Sequence, residues 1–306
     1  MESVRAKTPL PGVADYLRAV WELGKSSIRP ALPALAFLYF YRVGVGAYTA
    51  VAIRTSVLQG ATAADLVPRL AVPLSLLPVF LLIYTPMIPL QDSLLQGRPM
   101  TFLASARRMT EQGWALTLSG IIQGFALAAP FLVICVAAAL LAPMIPGTAL
   151  DPSRLFLAVA VALLGLFGVL VVALLLMFAT PALLLDGEGP LQSIGTSMRL
   201  VLGHVGGILG RVLAFFFLSF VLLLLLTMPT QILSQVSSIS GGPTMAIKIA
   251  TVIWTSALAT ALFPFGVASL IVLYRALVPR RGGAPGGPVP LDEEFQPATA
   301  ARVPFE

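Results

Sequence analysis

"GHVGGILGRVLAFFFLSFVLLLLL", residues 203–226, decides the class of this chain. From Val212 to Leu226 no residue is charged, and a helix that crosses a bilayer needs about 20 mostly apolar residues. The glycines at the front invite another reading, a loop that cradles a phosphate. Such a loop follows G-x-G-x-x-G between a strand and a helix. Here the glycines stand at 203, 206, 207 and 210, behind an expected surface helix, so spacing and context both fail. Gly203-xxx-Gly207 and Gly206-xxx-Gly210 instead have the small-xxx-small spacing that lets a neighbouring helix backbone approach. Gly120 and Gly124 repeat it, and the expectation is that the two spans carrying these pairs meet there. His204, the single histidine, is expected as a polar residue at headgroup level.

Composition supports the same class. Of 306 residues 58% are hydrophobic and 10% charged, against about 25% charged in soluble proteins; a soluble surface cannot be built from so few charges. The net charge of +6 is scattered, without a basic-aromatic patch, so no nucleic acid is expected as a partner. A lone cysteine, Cys135, forms no disulfide or cysteine metal site within one chain. Residues 1–29 are mixed and polar, unlike a secretory signal.

Six segments are long and apolar enough to span: residues 30–53, 70–90, 114–145, 155–185, 205–228 and 249–274. Interior prolines at 78, 86, 130 and 264 remove backbone bonds and kink helices, which bilayer bundles tolerate because neighbours satisfy the freed groups. They read first as packing geometry, and otherwise as a gating hinge. Fourteen of the nineteen Lys and Arg fall in residues 1–29, 91–113, 186–211 and 275–306. The positive-inside rule places those segments, and both termini, in the cytoplasm, with short loops outside.

The inner segments repeat a pattern. Val13, Tyr16, Leu17, Val20 and Trp21 recur at helical spacing; so do Phe102, Leu103, Ala106 and Met109, against Ser105, Arg107, Arg108 and Glu111; so do Leu191, Ile194, Met198 and Val201, against Gln192, Ser193, Thr196 and Arg199. Each reads as an amphipathic helix lying in the interfacial plane. The expected fold is therefore all-α and polytopic: six transmembrane helices arranged as three parallel repeats of an interfacial helix plus a helical hairpin. The units cover about 10–90, 91–185 and 186–278, making a membrane domain of 1–278. The two inner joints match best, each with Thr-Pro, a glycine-containing polar turn and a helix ending in Ser-x-Arg, at Ser105–Arg107 and Ser197–Arg199. Residues 279–306 are rich in Pro and Gly, with an acidic cluster at 292–294, and are expected to be a disordered cytoplasmic tail.

The junction at 180–217 carries Pro181, Asp186, Gly187, Gly189, Ser197, Arg199, Leu200, Gly203 and Gly206. In this order it resembles the six-span membrane domain joined to some glycerophosphodiester phosphodiesterases, and its stand-alone bacterial relatives. The resemblance implies a fold and a location. No catalytic residue is carried over, because none of these 306 residues reads as part of a soluble catalytic barrel.

The motifs of known chemistry are missing. HExxH, GxSxG and GxxxxGK[ST] do not occur, and no cofactor or metal is expected. None of the thirteen acidic residues falls clearly within an expected span, which argues against ion-coupled pumping. Arg42 does fall within one. A charge at mid-bilayer costs about 2.5–3.5 kcal/mol, so it reads either as a paired or snorkelling arginine or as a contact for an anion or lipid headgroup in a cavity. Thr117, Ser119, Gln123, Thr255, Ser256 and Thr260 lie in the third and sixth spans and are expected to form interhelical hydrogen bonds. Arg107, Arg108 and Arg199 are expected at phospholipid headgroups, where each contributes about 1 kcal/mol on an anionic leaflet. The expected function is that of a non-enzymatic bacterial inner-membrane protein, structural, accessory or lipid-organising. Its partners would be the bilayer, anionic phospholipid and a membrane protein of unknown kind. The alternative is a transporter or permease for a small amphipathic or lipid-like molecule.

Overall fold

The computed structural model describes residues 10–59, 72–73, 75–98, 100–141, 152–239 and 244–278, with side-chain surroundings left out at 50–59, 137–141, 152, 154–155, 234–239 and 244–245. The expected tail at 279–306 and most of two of the three expected outer loops, 54–69 and 146–154, lie outside the described residues; the third, expected at 229–248, is helical through Ile239 and again from Thr244.

The described chain is helical: α1 (Val13–Gln59), α2 (Leu76–Leu95), α3 (Phe102–Glu111), α4 (Gly113–Leu141), α5 (Pro152–Leu176), α6 (Ala179–Asp186), α7 (Pro190–Gly203), α8 (Val205–Ile239) and α9 (Thr244–Leu277). Six helical stretches among the described residues are long and apolar enough to cross a membrane. The protein is a multi-span membrane protein.

α1 differs from expectation. The stripe before the first span does not form a separate surface helix; one helix of 47 residues runs through Pro30 and Pro33, about 70 Å at 1.5 Å per residue. The reason is visible in its buried residues. Tyr16, Val20, Leu23, Ser27, Ala31, Leu35 and Leu38 recur every three or four positions, so the stripe is the first part of a single seam. That seam packs mainly on α9. Trp21 lies with its ring centroid 5.1 Å from that of Phe265, and Tyr16 Oη donates to the Ser269 carbonyl at 3.3 Å.

The two other surface helices do form as separate elements. The turn before α3 holds Gly97 at φ 65°, and the turn after α6 holds Gly187 at φ 70°. Both are in the left-handed region that glycine adopts without penalty. The Thr101 hydroxyl accepts from the Ala104 amide at 3.2 Å to cap α3, and Pro190 opens α7, where its missing N–H costs nothing.

The starts of α1, α4 and α8, the ends of α2, α6 and α9, and helices α3 and α7 gather at one end of the bundle, here called the joint end. The core sits there: Tyr16 and Val20 from α1, Met87 and Leu90 from α2, Leu183 from α6, and Ile271 and Tyr274 from α9 are buried. α4 and α5 form a hairpin. Pro130 of α4 is received by Gly165 and Gly168 of α5: a Cβ at Gly168 would lie 2.9 Å from Pro130 Cβ. The outer sides of α4, α5 and α8 expose Phe125, Phe131, Phe167, Phe216, Phe217 and Phe220. A patch of that extent is foreign to a water-facing surface and ordinary toward acyl chains.

Candidate functional site

Three helix ends converge at the joint end. α2 closes with Gln91, Asp92 and Ser93, all buried although polar. The Arg275 guanidinium, in the last turn of α9, grips Asp92 with both arms, Nε to Oδ1 at 2.6 Å and Nη2 to Oδ2 at 2.9 Å. This fork-to-fork pairing is the strongest geometry open to an arginine. A third nitrogen, Nη1, reaches Asp186 Oδ1 of α6 at 3.4 Å. Tyr274 Oη donates to the other oxygen of Asp186, and Gln96 Nε2 donates to Asp92 Oδ2 at 2.6 Å. One residue deeper, Gln91 Nε2 donates to Ser27 Oγ at 3.0 Å and to the Pro264 carbonyl at 2.8 Å, which joins α2 to α1 and α9.

Asp92 corrects the expectation that carboxylates stay clear of the spans. It lies within a span-length helix, with its side chain 8% exposed and Arg275 16% exposed. In sequence Asp92 and Asp186 fall six and five residues after a Thr-Pro step. That shared place was legible; their meeting on Arg275, 183 and 89 positions away, was not. The arrangement is a clamp. Its carboxylates are occupied by donors from Arg275, Tyr274 and Gln96. No three His, Cys, Asp or Glu among the described residues come together as a metal site requires.

The serines of the surface helices are also placed against expectation. Ser105 of α3 and Ser193 of α7, expected on the polar sides of their helices, are fully buried, as is Ser197 of α7. Ser105 Oγ donates to the Pro86 carbonyl at 2.5 Å. Ser197 Oγ donates to the Leu175 carbonyl at 2.7 Å and accepts from the Phe178 amide at 3.0 Å. It thus repairs the break between α5 and α6. The apolar residues Leu103, Leu191, Met198 and Leu202 point outward and are exposed, as are Arg107, Arg108 and Arg199. Both helices dock on the protein through small hydroxyls together with Phe102 and Val201, and leave Leu103, Leu191, Met198 and Leu202 to the surroundings.

The small-xxx-small expectation is overturned among the described residues. A Cβ at Gly120, Gly124, Gly203, Gly206 or Gly210 would meet nothing within 4 Å, and α4 and α8 make no substantial contact. The spacing has no partner helix there. Gly207 does have a close neighbour: a Cβ would lie 2.7 Å from Leu10 Cδ1. Arg211, one turn on, donates from Nε to the Pro11 carbonyl at 2.9 Å. This glycine-rich entry seats the segment before α1 rather than another span. Besides Gly165 and Gly168 of the α4–α5 hairpin, close approach is made at Gly24, whose Cβ would lie 2.4 Å from the Phe265 ring, and Gly46, 2.6 Å from Val252. Both serve the α1–α9 seam. His204 caps α7, half-buried, with Nδ1 3.3 Å from the Leu200 carbonyl.

The polar residues of the third and sixth spans bond mostly within their own helices. Thr117 Oγ1 donates to the Gly113 carbonyl at 2.8 Å, Gln123 to Ser119 Oγ at 2.9 Å and Thr255 to the Thr251 carbonyl at 2.8 Å. A helix satisfies such groups one turn back more readily than it finds a neighbour. Away from the joint end, Arg42 borders an open-sided cavity of about 340 Å³ between α1, α9 and the start of α2, shared with Thr49, Pro73, Leu76, Thr255 and Ser256. No family model, curated protein or solved structure matches the chain. The fold defines its class, a multi-span membrane protein, and the site defines a clamp and a cavity within it.

Proposed function

We propose that this is a non-enzymatic accessory protein of the bacterial inner membrane, with both termini cytoplasmic. In this reading α3 and α7 rest in the headgroup layer and organise anionic lipid around the bundle. One observation carries it: both helices turn buried serines to the protein and leave Leu103, Leu191, Met198 and Leu202 outward beside exposed Arg107, Arg108 and Arg199. An outward apolar side edged with arginines suits the boundary between headgroups and acyl chains. Three parallel units, and kinship with the six-span domain of the phosphodiesterases through the junction at 180–217, belong to the same proposal. The clamp gives the surface helices a rigid base, because α3 and α7 pack on the helices whose ends it joins, α2 and α6.

The test is depth. Single tryptophans placed at Leu103→Trp and Leu191→Trp, in a background without the native tryptophans, are expected to be quenched by brominated acyl chains and shielded from aqueous iodide. Full iodide access at both positions overturns the reading. A second reading, a permease for a small amphipathic molecule, is favoured by the Arg42 cavity alone. It predicts that the protein in proteoliposomes moves such a molecule across the bilayer.

A further inference from the structure

The cavity at Arg42 has a chemistry of its own. Arg42 has no hydrogen-bond or ion-pair partner among the described residues. The described acids are Asp15, Glu22, Asp92, Glu111, Asp186 and Glu188, and none is near. Glu22, on the same helix, stands 20 residues away, about 30 Å along the axis. A guanidinium in this position offers donors in a planar fork that suits phosphate or carboxylate.

Two of the three hydroxyls around it offer the opposite. Thr49 Oγ1 donates to the Val45 carbonyl at 2.7 Å, and Thr255 Oγ1 to the Thr251 carbonyl at 2.8 Å. Each hydroxyl hydrogen is spent inside its helix, so what remains for a guest is lone pairs, which accept. Val45, Leu76 and Val252 complete an apolar part of the wall. At about 340 Å³ the volume is near the lower end of small-molecule pockets, which run from about 300 to 1,000 Å³. It suits a headgroup, not a whole two-chain lipid.

We propose that this cavity binds an anionic headgroup that carries its own hydroxyl or ammonium donors, the anion on Arg42 and the donors on Thr49 and Thr255. The site stands apart from the surface arginines, and its occupant is either the headgroup of a membrane lipid or the same group as a free small molecule.

The experiment follows thermal unfolding of the full chain in neutral detergent while three probes are titrated. Phosphatidylglycerol has a phosphate with hydroxyls, phosphatidylcholine a phosphate without donors, and glycerol phosphate is the soluble group alone. Saturable stabilisation by phosphatidylglycerol over phosphatidylcholine is expected. The apparent Kd should rise about tenfold or more in Arg42→Met, as for loss of a charge-assisted pair, and less in Arg42→Lys. Saturation by glycerol phosphate at similar concentration assigns the site to a free molecule; saturation by the lipid alone assigns it to the bilayer. Thr255→Val keeps the charge and should narrow the preference for phosphatidylglycerol over phosphatidylcholine, so a poorly folded Arg42 variant does not end the test. Replacing Arg107, Arg108 and Arg199 together by Gln should leave the saturable effect intact; its disappearance in that variant, or its survival in Arg42→Met, overturns the proposal.

Discussion

Arg275 and Arg42 lie on two helices that share a long seam, α9 and α1, and the protein treats them in opposite ways. Arg275 is held by two carboxylates, with Asp92 gripped at 2.6 and 2.9 Å and Asp186 at 3.4 Å. Arg42 faces a cavity with no partner among the described residues. One charge is consumed by the fold and the other is left for something outside it. This separates the clamp, whose charges are paired, from the region around Arg42, whose charge is not.

The largest effect that tests the contrast is charge removal. Arg275→Met leaves Asp92 buried without its cation, which costs about 3–5 kcal/mol. Arg42→Met breaks no contact of the described protein and should change stability by less than about 1 kcal/mol. Denaturant unfolding of both variants in neutral detergent, followed by circular dichroism, measures the pair. Equal losses would mean that Arg42 is as much a part of the fold as Arg275.

A second pair applies the contrast to glycine. Gly24→Ala drives a Cβ to within 2.4 Å of the Phe265 ring, and overpacking of this kind costs about 1–3 kcal/mol. Gly206→Ala meets nothing within 4 Å and gains about 0.5–1 kcal/mol of helix preference. Opposite signs in the unfolding midpoint are expected. A loss at Gly206 equal to that at Gly24 would mean that a second chain, or another membrane protein, packs on the start of α8.

These outcomes also mark how far the sequence could be read. The six span-length stretches were legible because runs of about 20 apolar residues decide them locally. So were the two joints, whose turns hold Gly97 and Gly187 with positive φ. Neighbour choice was not legible. That α1 lies on α9 is a fact of packing between residues some 250 positions apart, as Tyr16 and Ser269 are, and no local period announces it. The stripe at Val13–Trp21 was legible as amphipathic but equally compatible with lying on a membrane or on another helix. Small-xxx-small spacing at Gly203–Gly210 permits close approach without supplying the partner. The surface serines were misplaced for a physical reason. Beside a bilayer the rule of apolar inside and polar outside weakens, because lipid is as apolar as a core and small hydroxyls pack well between helices.

The smallest contrast lies within that serine pair. Ser105 Oγ makes one bond, to the Pro86 carbonyl, at a carbonyl inside the continuous helix α2. Ser197 Oγ makes two, and one of them satisfies the Phe178 amide where α5 has ended and α6 not yet begun. Ser105→Ala therefore loses an ordinary hydrogen bond, about 0.5–1.5 kcal/mol, whereas Ser197→Ala orphans a buried donor, about 1–3 kcal/mol. The difference should also be local. Amide exchange at Phe178 should accelerate in Ser197→Ala more than global unfolding explains, because the break it opens lies between two helices that need not unfold. Unchanged exchange at Phe178 would show that the break is held by packing, with the serine only filling space.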